Sequence, residues 1–400
     1  MEDLRATGVV LFGGGRLGKQ MLNMLEKLDI KVLQVWDRNA NNMNNVSQIM
    51  LPDYDYADKD IPIIICVYSK MAAEGIEEKL HKHGFTRVFH YEQMSLRELL
   101  GCAKKETYDM RECNKCMLNG GGCKEYESYL QQGTVAHIPL RTLNVNITSK
   151  CTLNCVHCAE LEVEFRKRRM EWGFEKAAFL RSMDALEDIF GYIRSVTLLG
   201  GEFCLNDQWR TILDRCVQSS CIGYIVITTN GIYRLQEQDY DLLNHDKIVV
   251  LLDDYTTHLS EHQKHLFHDN IEMFQKKSVN YVVLDNTLGT WYDFGEIRDY
   301  GDSRELLVQK YQRCTLSDCY CLLPDDYFAI CGRQYFAWKL DKVNTMLVDS
   351  VRLDTKNIEQ TRDAIRNLMN QEYLAVCQYC RGCEEPITPG LQDTGSGINR

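Results

Sequence analysis

Between residues 142 and 285, short apolar runs and amphipathic helical patterns take turns. The runs are TLNVNIT (142–148), SVTLLGGE (195–202), YIVITTNG (224–231), KIVVLLDD (247–254) and VNYVVLD (279–285). Between them lie EKAAFLRSMDALEDIFGYI (175–193) and helical patterns near 207–218, 234–243 and 261–276. Near-continuous apolar runs demand burial on both faces, so the alternation predicts a parallel sheet covered by helices. The crossovers should be right-handed and the sheet an open or partial barrel. Reactive residues then belong at the C-terminal ends of the strands.

A shorter series of the same kind precedes it. VVLFGGGR (9–16), KVLQVWD (31–37) and IPIIICVYS (61–69) read as strands, with helices at 16–28 and 75–84. This predicts a doubly wound parallel sheet over residues 6–98. Gly13, Gly15 and Gly18 form G-x-G-x-x-G between the first strand and its helix, and Asp37 ends the second strand. Free amides at that helix start suit a pyrophosphate, and Asp37 suits a ribose. Residues 101–141 form a connector carrying Cys102, Cys113, Cys116 and Cys123, where a cluster, zinc and free thiols all remain open. The core then runs over 142–300 and a loop-rich, cysteine-containing extension over 301–400.

The 400 residues carry a net charge of −11, and the most basic stretch is FRKRR at 165–169, read as a solvated segment. Without a concentrated basic face, nucleic acid is not expected as a partner. The N-terminus shows no signal-peptide pattern and no run of about 18 apolar residues occurs, so a cytoplasmic chain with no membrane span is expected. Eighteen cysteines in a reducing compartment point to metal or iron–sulfur ligation rather than disulfides.

Three of them stand out. CTLNCVHC places Cys151, Cys155 and Cys158 directly after the first core strand. Three thiolates hold a four-iron cluster with one coordination position left open, whereas a structural zinc site would need a further ligand such as His157. With LGGEF (199–203) at the next strand end and ITTNG (227–231) at the one after, the chain resembles the radical S-adenosylmethionine (SAM) enzymes. The resemblance implies a partial (β/α)6 barrel and a 4Fe-4S cluster on Cys151, Cys155 and Cys158. It implies a SAM amino group at Gly200, Gly201 and Glu202, with Thr229 and Asn230 as further contacts. The chemistry it implies is reductive cleavage of SAM to a 5′-deoxyadenosyl radical that abstracts a substrate hydrogen, fed by a donor such as flavodoxin or ferredoxin. Phe203 and Cys204 replace the proline common after the glutamate, and Cys204 reads as a buried thiol.

Cys314, Cys319, Cys321, Cys331, Cys377, Cys380 and Cys383 resemble a SPASM or twitch extension, although Asp326 stands at the customary hairpin glycine and CQYCRGC departs from the full spacing. One auxiliary 4Fe-4S cluster is implied, drawing on Cys314, Cys319 or Cys321, Cys331, Cys377 and Cys380. A zinc ribbon is the alternative. The N-terminal region resembles Rossmann-like modules of sugar-modifying proteins, for which a nucleotide-sugar ligand and an empty structural domain both remain open, and local motifs resemble a subgroup associated with polysaccharide biosynthesis. The expected substrate is therefore a small-molecule sugar or a nucleotide- or lipid-linked glycan, oxidised or epimerised at a carbinol carbon. A peptide maturase and a non-catalytic iron–sulfur or zinc module are the other readings.

Overall fold

The structure is a computed structural model. It describes residues 2–27, 29–38, 49–67, 70–91, 140–286, 291–317, 319–383 and 385–393, together with Ala40, Arg111 and Ile138. The chain separates into two compact units, one of residues 1–109 with 116–119 and one of 110–115 with 120–400. The connector cysteines Cys102, Cys113, Cys116 and Cys123 lie outside the described residues.

In the first unit, helix α1 (Glu2–Thr7) precedes strand β1 (Val9–Phe12), α2 (Arg16–Lys27), β2 (Val32–Trp36), β3 (Ile49–Met50), β4 (Ile63–Ile65), α3 (Lys70–Lys82) and β5 (Val88–His90). The sheet order is β3-β2-β1-β4-β5 and every described pairing is parallel. This is the doubly wound arrangement expected from sequence. Alternation along β1 explains its two covered faces. Val9 and Leu11 pack with Leu17, Met21 and Leu25 of α2, while Val10 and Phe12 pack with Ala73, Ile76 and Leu80 of α3.

The second unit contains β6 (Leu140–Asn146), α4 (Glu162–Arg168), α5 (Lys176–Phe190), β7 (Ile193–Leu199), α6 (Trp209–Gln218), β8 (Ile222–Thr229), α7 (Glu237–Leu243), β9 (Ile248–Asp254), α8 (Glu261–Lys276) and β10 (Tyr281–Asp285). Beyond these come β11 (Trp291–Tyr292), α9 (Arg304–Arg313), β12 (Cys321–Leu323), β13 (Tyr327–Ala329), α10 (Gly332–Lys339), α11 (Met346–Asp349), β14 (Ser350–Arg352), α12 (Ile358–Met369) and β15 (Pro386–Ile387). Strands β6 to β10 pair in parallel in chain order. Helix α5 shows why the helices cover them: Phe179, Met183, Leu186 and Phe190, at helical spacing, are all fully buried in the main core.

The alternation in sequence stops near residue 300, but the sheet does not. Strand β12 lies parallel to β6, and β13 and β14 continue antiparallel from it, giving the order β10-β9-β8-β7-β6-β12-β13-β14. The sixth parallel strand thus comes from the extension and sits at the start of the series. The β12–β13 turn takes positive φ at both Asp325 (66°) and Asp326 (63°), a conformation Asp tolerates better than most residues. Asp326 is also held by Ser182 of α5, whose hydroxyl donates to it at 2.6 Å. Among the described residues no helix is long and apolar enough to cross a membrane.

Candidate active site

The cysteine loop and the Gly–Gly–Glu turn are built against each other at the ends of β6 and β7. Gly201 N donates to Thr148 O and Glu202 N to Lys150 O, both at 2.8 Å. A Cβ on Gly200 would lie 2.4 Å from Thr148 O, and one on Gly201 2.2 Å from Lys150 O. No side chain fits in either gap, so the glycines are what lets the turn clamp the loop. Arg166 secures the loop from its other side, donating to Cys151 O at 2.6 Å and Leu153 O at 2.9 Å. This corrects the reading of FRKRR as simply solvated: Phe165 is buried and Arg166 is tied to the cysteine loop, while Lys167, Arg168 and Arg169 are exposed.

Glu202 is fully buried. Thr229 Oγ1 donates to its Oε1 at 2.7 Å and Asn230 N to its Oε2 at 3.0 Å, so the end of β8 orients the carboxylate. Burial nevertheless pushes the carboxyl up to about 7, against those two hydrogen bonds and with Asp253 of β9 adding to the rise. Neutral donors alone do not offset the cost of burying this charge. Asn230 also reaches the cysteine loop, with Nδ2 3.0 Å from Thr152 Oγ1 and 3.8 Å from Cys151 Sγ.

Cys151, Cys155 and Cys158 are partly buried free thiols, as expected of one loop. Burial raises all three; Cys155 is pushed up to about 11 despite a hydrogen bond from Gln392. Glu162 accepts from the Cys158 thiol. His157, the candidate completing ligand of a zinc site, has φ 61° and pairs through Nδ1 with Asp293 Oδ1 at 3.0 Å. Among the described residues no three His, Cys, Asp or Glu side chains converge tightly enough to hold a single ion.

In the extension, Cys314, Cys331, Cys377 and Cys380 line one cavity, together with Phe294, Arg333 and other side chains. Cys331 precedes α10, and Cys377 lies in a 3-10 turn (Ala375–Tyr379) held by the buried Asp349, whose carboxylate accepts from Ala375 N at 2.8 Å and Val376 N at 2.7 Å. Neither Cys319 nor Cys321 lines the cavity. The Cys321 thiol is buried among Phe165, Leu323, Tyr335 and Phe336 and donates to Cys319 O at 3.0 Å; Cys319 donates to Thr315 O at 3.7 Å. Instead Cys383, absent from the expected set, stands beside Cys314. Hydrogen bonds from Cys314 and Thr315 lower its thiol below the ordinary cysteine range. Its C-x2-C spacing from Cys380 was the available signal. Cys204 is buried in the main core, as read. Arg333, which no motif marked, donates to Ala159 O beside Cys158 and to Gly295 O, both at 3.0 Å.

In the first unit the glycine loop is compact. A Cβ on Gly18 would lie 1.7 Å from Gly13 O, which Gly13 reaches with φ 115°, whereas Gly15 faces open space. Asp37 does meet the loop, accepting from Gly14 N at 2.7 Å.

No family model matches the chain, and no curated protein does. Solved structures similar to it include BtrN in complex with AdoMet and 2-DOIA, with 12% identity and TM-score 0.37 over 62% of this chain and 94% of that one. SuiB from Streptococcus suis bound to S-adenosylmethionine gives 16% and 0.30, over 48% and 43%. A histidine-tagged anSMEcpe with bound AdoMet gives 18% and 0.30, over 36% and 42%. The chain thus spans less than half of the latter two. At such scores its chemistry rests on its own residues.

Proposed function

We propose that the chain is a radical SAM enzyme. The observation that carries this reading is Glu202, a fully buried carboxylate with neutral hydrogen-bond donors, clamped by two glycines against a loop of three thiols. A buried carboxylate of this kind suits an ammonium, which would hold it ionised through a charge-assisted hydrogen bond. Cys151, Cys155 and Cys158 would hold a 4Fe-4S cluster, and Glu202 the amino group of SAM. When bound, these two groups supply a 5′-deoxyadenosyl radical that abstracts hydrogen from the substrate. The chain's own work is placement. Gly200 and Gly201 fix the distance between cluster loop and carboxylate, Thr229 and Asn230 orient the carboxylate, and Arg166 keeps the loop closed.

Cys314, Cys331, Cys377 and Cys380 would hold an auxiliary cluster, with Cys383 next to the set and Cys319 and Cys321 outside it. That cluster would exchange the second electron of an oxidation. The substrate would be a sugar or a nucleotide- or lipid-linked glycan, changed at a carbinol carbon. Separately, Gly13, Gly15, Gly18 and Asp37 of the first unit would bind a nucleotide. A cytoplasmic one-electron donor of the flavodoxin or ferredoxin kind would reduce the catalytic cluster.

The test is anaerobic reconstitution with iron and sulfide, followed by dithionite and SAM. Release of 5′-deoxyadenosine is expected, and its complete absence overturns the reading. Incubation with deuterated sugars and nucleotide-sugars should then carry deuterium into 5′-deoxyadenosine. Transfer only from a peptide would replace the glycan as substrate.

A further inference from the structure

Residues 385–393 run back across the cysteine loop as a strap. Pro386–Ile387 pair antiparallel with Trp291–Tyr292, and Gly390 follows with φ 72°. A Cβ at Gly390 would lie 2.4 Å from the Tyr255 ring, so the strap passes flat against a buried aromatic side chain. It then meets the loop in register. Val156 N donates to Leu391 O at 2.7 Å, Asp393 N to Asn154 O at 2.7 Å, and Asn154 Nδ2 to Asp393 O at 2.9 Å. Gln392 bridges directly to Cys155. Its side-chain carbonyl accepts from Asn154 N at 2.8 Å, and its Nε2 donates to Cys155 Sγ at 3.2 Å and to Gly390 O at 2.6 Å. The strap therefore supplies a hydrogen bond aimed at one ligand sulfur. No strand or motif pattern accounts for that bond.

Taking the radical SAM reading as its basis, we infer that Gln392 is a positioning residue of the catalytic cluster. It docks the strap on the loop through its carbonyl and raises the cluster's reduction potential through its amide N–H on Cys155. An N–H donor on a thiolate stabilises negative charge there. The reduced cluster carries one more negative charge than the oxidised one, so the donor favours reduction. The residue takes no part in bond making or breaking. It sets how readily the external donor can charge the site.

Gln392→Glu separates the two tasks. It keeps the side-chain length and the acceptor for Asn154 N but replaces the donor to sulfur with a negative oxygen. Gln392→Ala removes both. The first measurement uses the full chain without iron and follows hydrogen exchange of the peptide covering 152–158. Exchange at Asn154 and Val156 should speed up several-fold in Gln392→Ala; unchanged exchange overturns the docking role. The second uses reconstituted protein and a potentiometric titration followed by electron paramagnetic resonance. The catalytic signal is recognised as the one that SAM perturbs. At fixed applied potential, Gln392→Glu should cut its reduced-to-oxidised ratio by about three- to ten-fold, the range set by one hydrogen bond, with unchanged iron content. An unchanged ratio overturns the inference while leaving the radical SAM reading intact. If parent protein shows no SAM-sensitive signal, the functional reading falls and the role of Gln392 on a cluster falls with it.

Discussion

The two thiol groups of the second unit are assembled in opposite ways. Cys151, Cys155 and Cys158 belong to one loop at one strand end, fixed by backbone contacts from the Gly–Gly–Glu turn. Cys314, Cys331, Cys377 and Cys380 come from three separate parts of the extension and meet only at a cavity. A loop that carries its own thiols keeps their spacing wherever the fold puts it. A set gathered from distant parts depends on every scaffold that delivers a member, such as Asp349 beneath Cys377. The first should therefore fail chemically when a thiol is removed, and the second also structurally.

The largest expected effect is on the loop. Cys155→Ala should abolish release of 5′-deoxyadenosine from SAM under dithionite, while iron assays still find the extension loaded. Loss of both would mean the two groups are not independent. Cys331→Ala is the reciprocal: iron in the extension should vanish while 5′-deoxyadenosine release persists. Next comes Asp349→Ala, which strips the acceptor from two backbone amides near Cys377. Urea unfolding should show a loss of about 2–3 kcal/mol, accompanied by reduced iron in the extension alone. Smaller still is a pH effect. Glu202 titrates at about 7, above the ordinary carboxylate range, so its charged form is lost as pH falls through 7. SAM affinity, read by calorimetry, should weaken by up to about tenfold per pH unit below 7 and level off above it. In ligand-free protein the same group costs stability as pH rises towards 7, so SAM should raise the melting temperature more at pH 8 than at pH 6. Last, Cys319→Ser should leave iron content unchanged, since Cys319 does not line the cavity.

The same contrast decides what could be read from sequence. Apolar runs and helical spacing specify β6 to β10 and their covering helices because burial acts on each element separately. The three-thiol loop, Glu202 and the Thr229–Asn230 pair lie within a few residues of those strand ends, so local patterns locate them too. Strand β12 is three residues long and pairs with a strand far away in the chain, which no local period encodes. Cys383 rather than Cys319 or Cys321 stands beside Cys314 because of how the chain folds back after residue 377. Gln392 meets Cys155 across 237 positions, a contact that exists only once the whole unit has folded.

The placement of β12 has a consequence for how the extension must be treated. Cutting the chain after residue 300 would not release a self-sufficient barrel. It would strip the neighbour from β6 and leave that strand as a sheet edge, with backbone groups at Asn144 and Val145, where β12 pairs, left without their partners. A bare flat edge of this kind pairs readily with other chains. A truncated protein should therefore aggregate rather than turn over slowly.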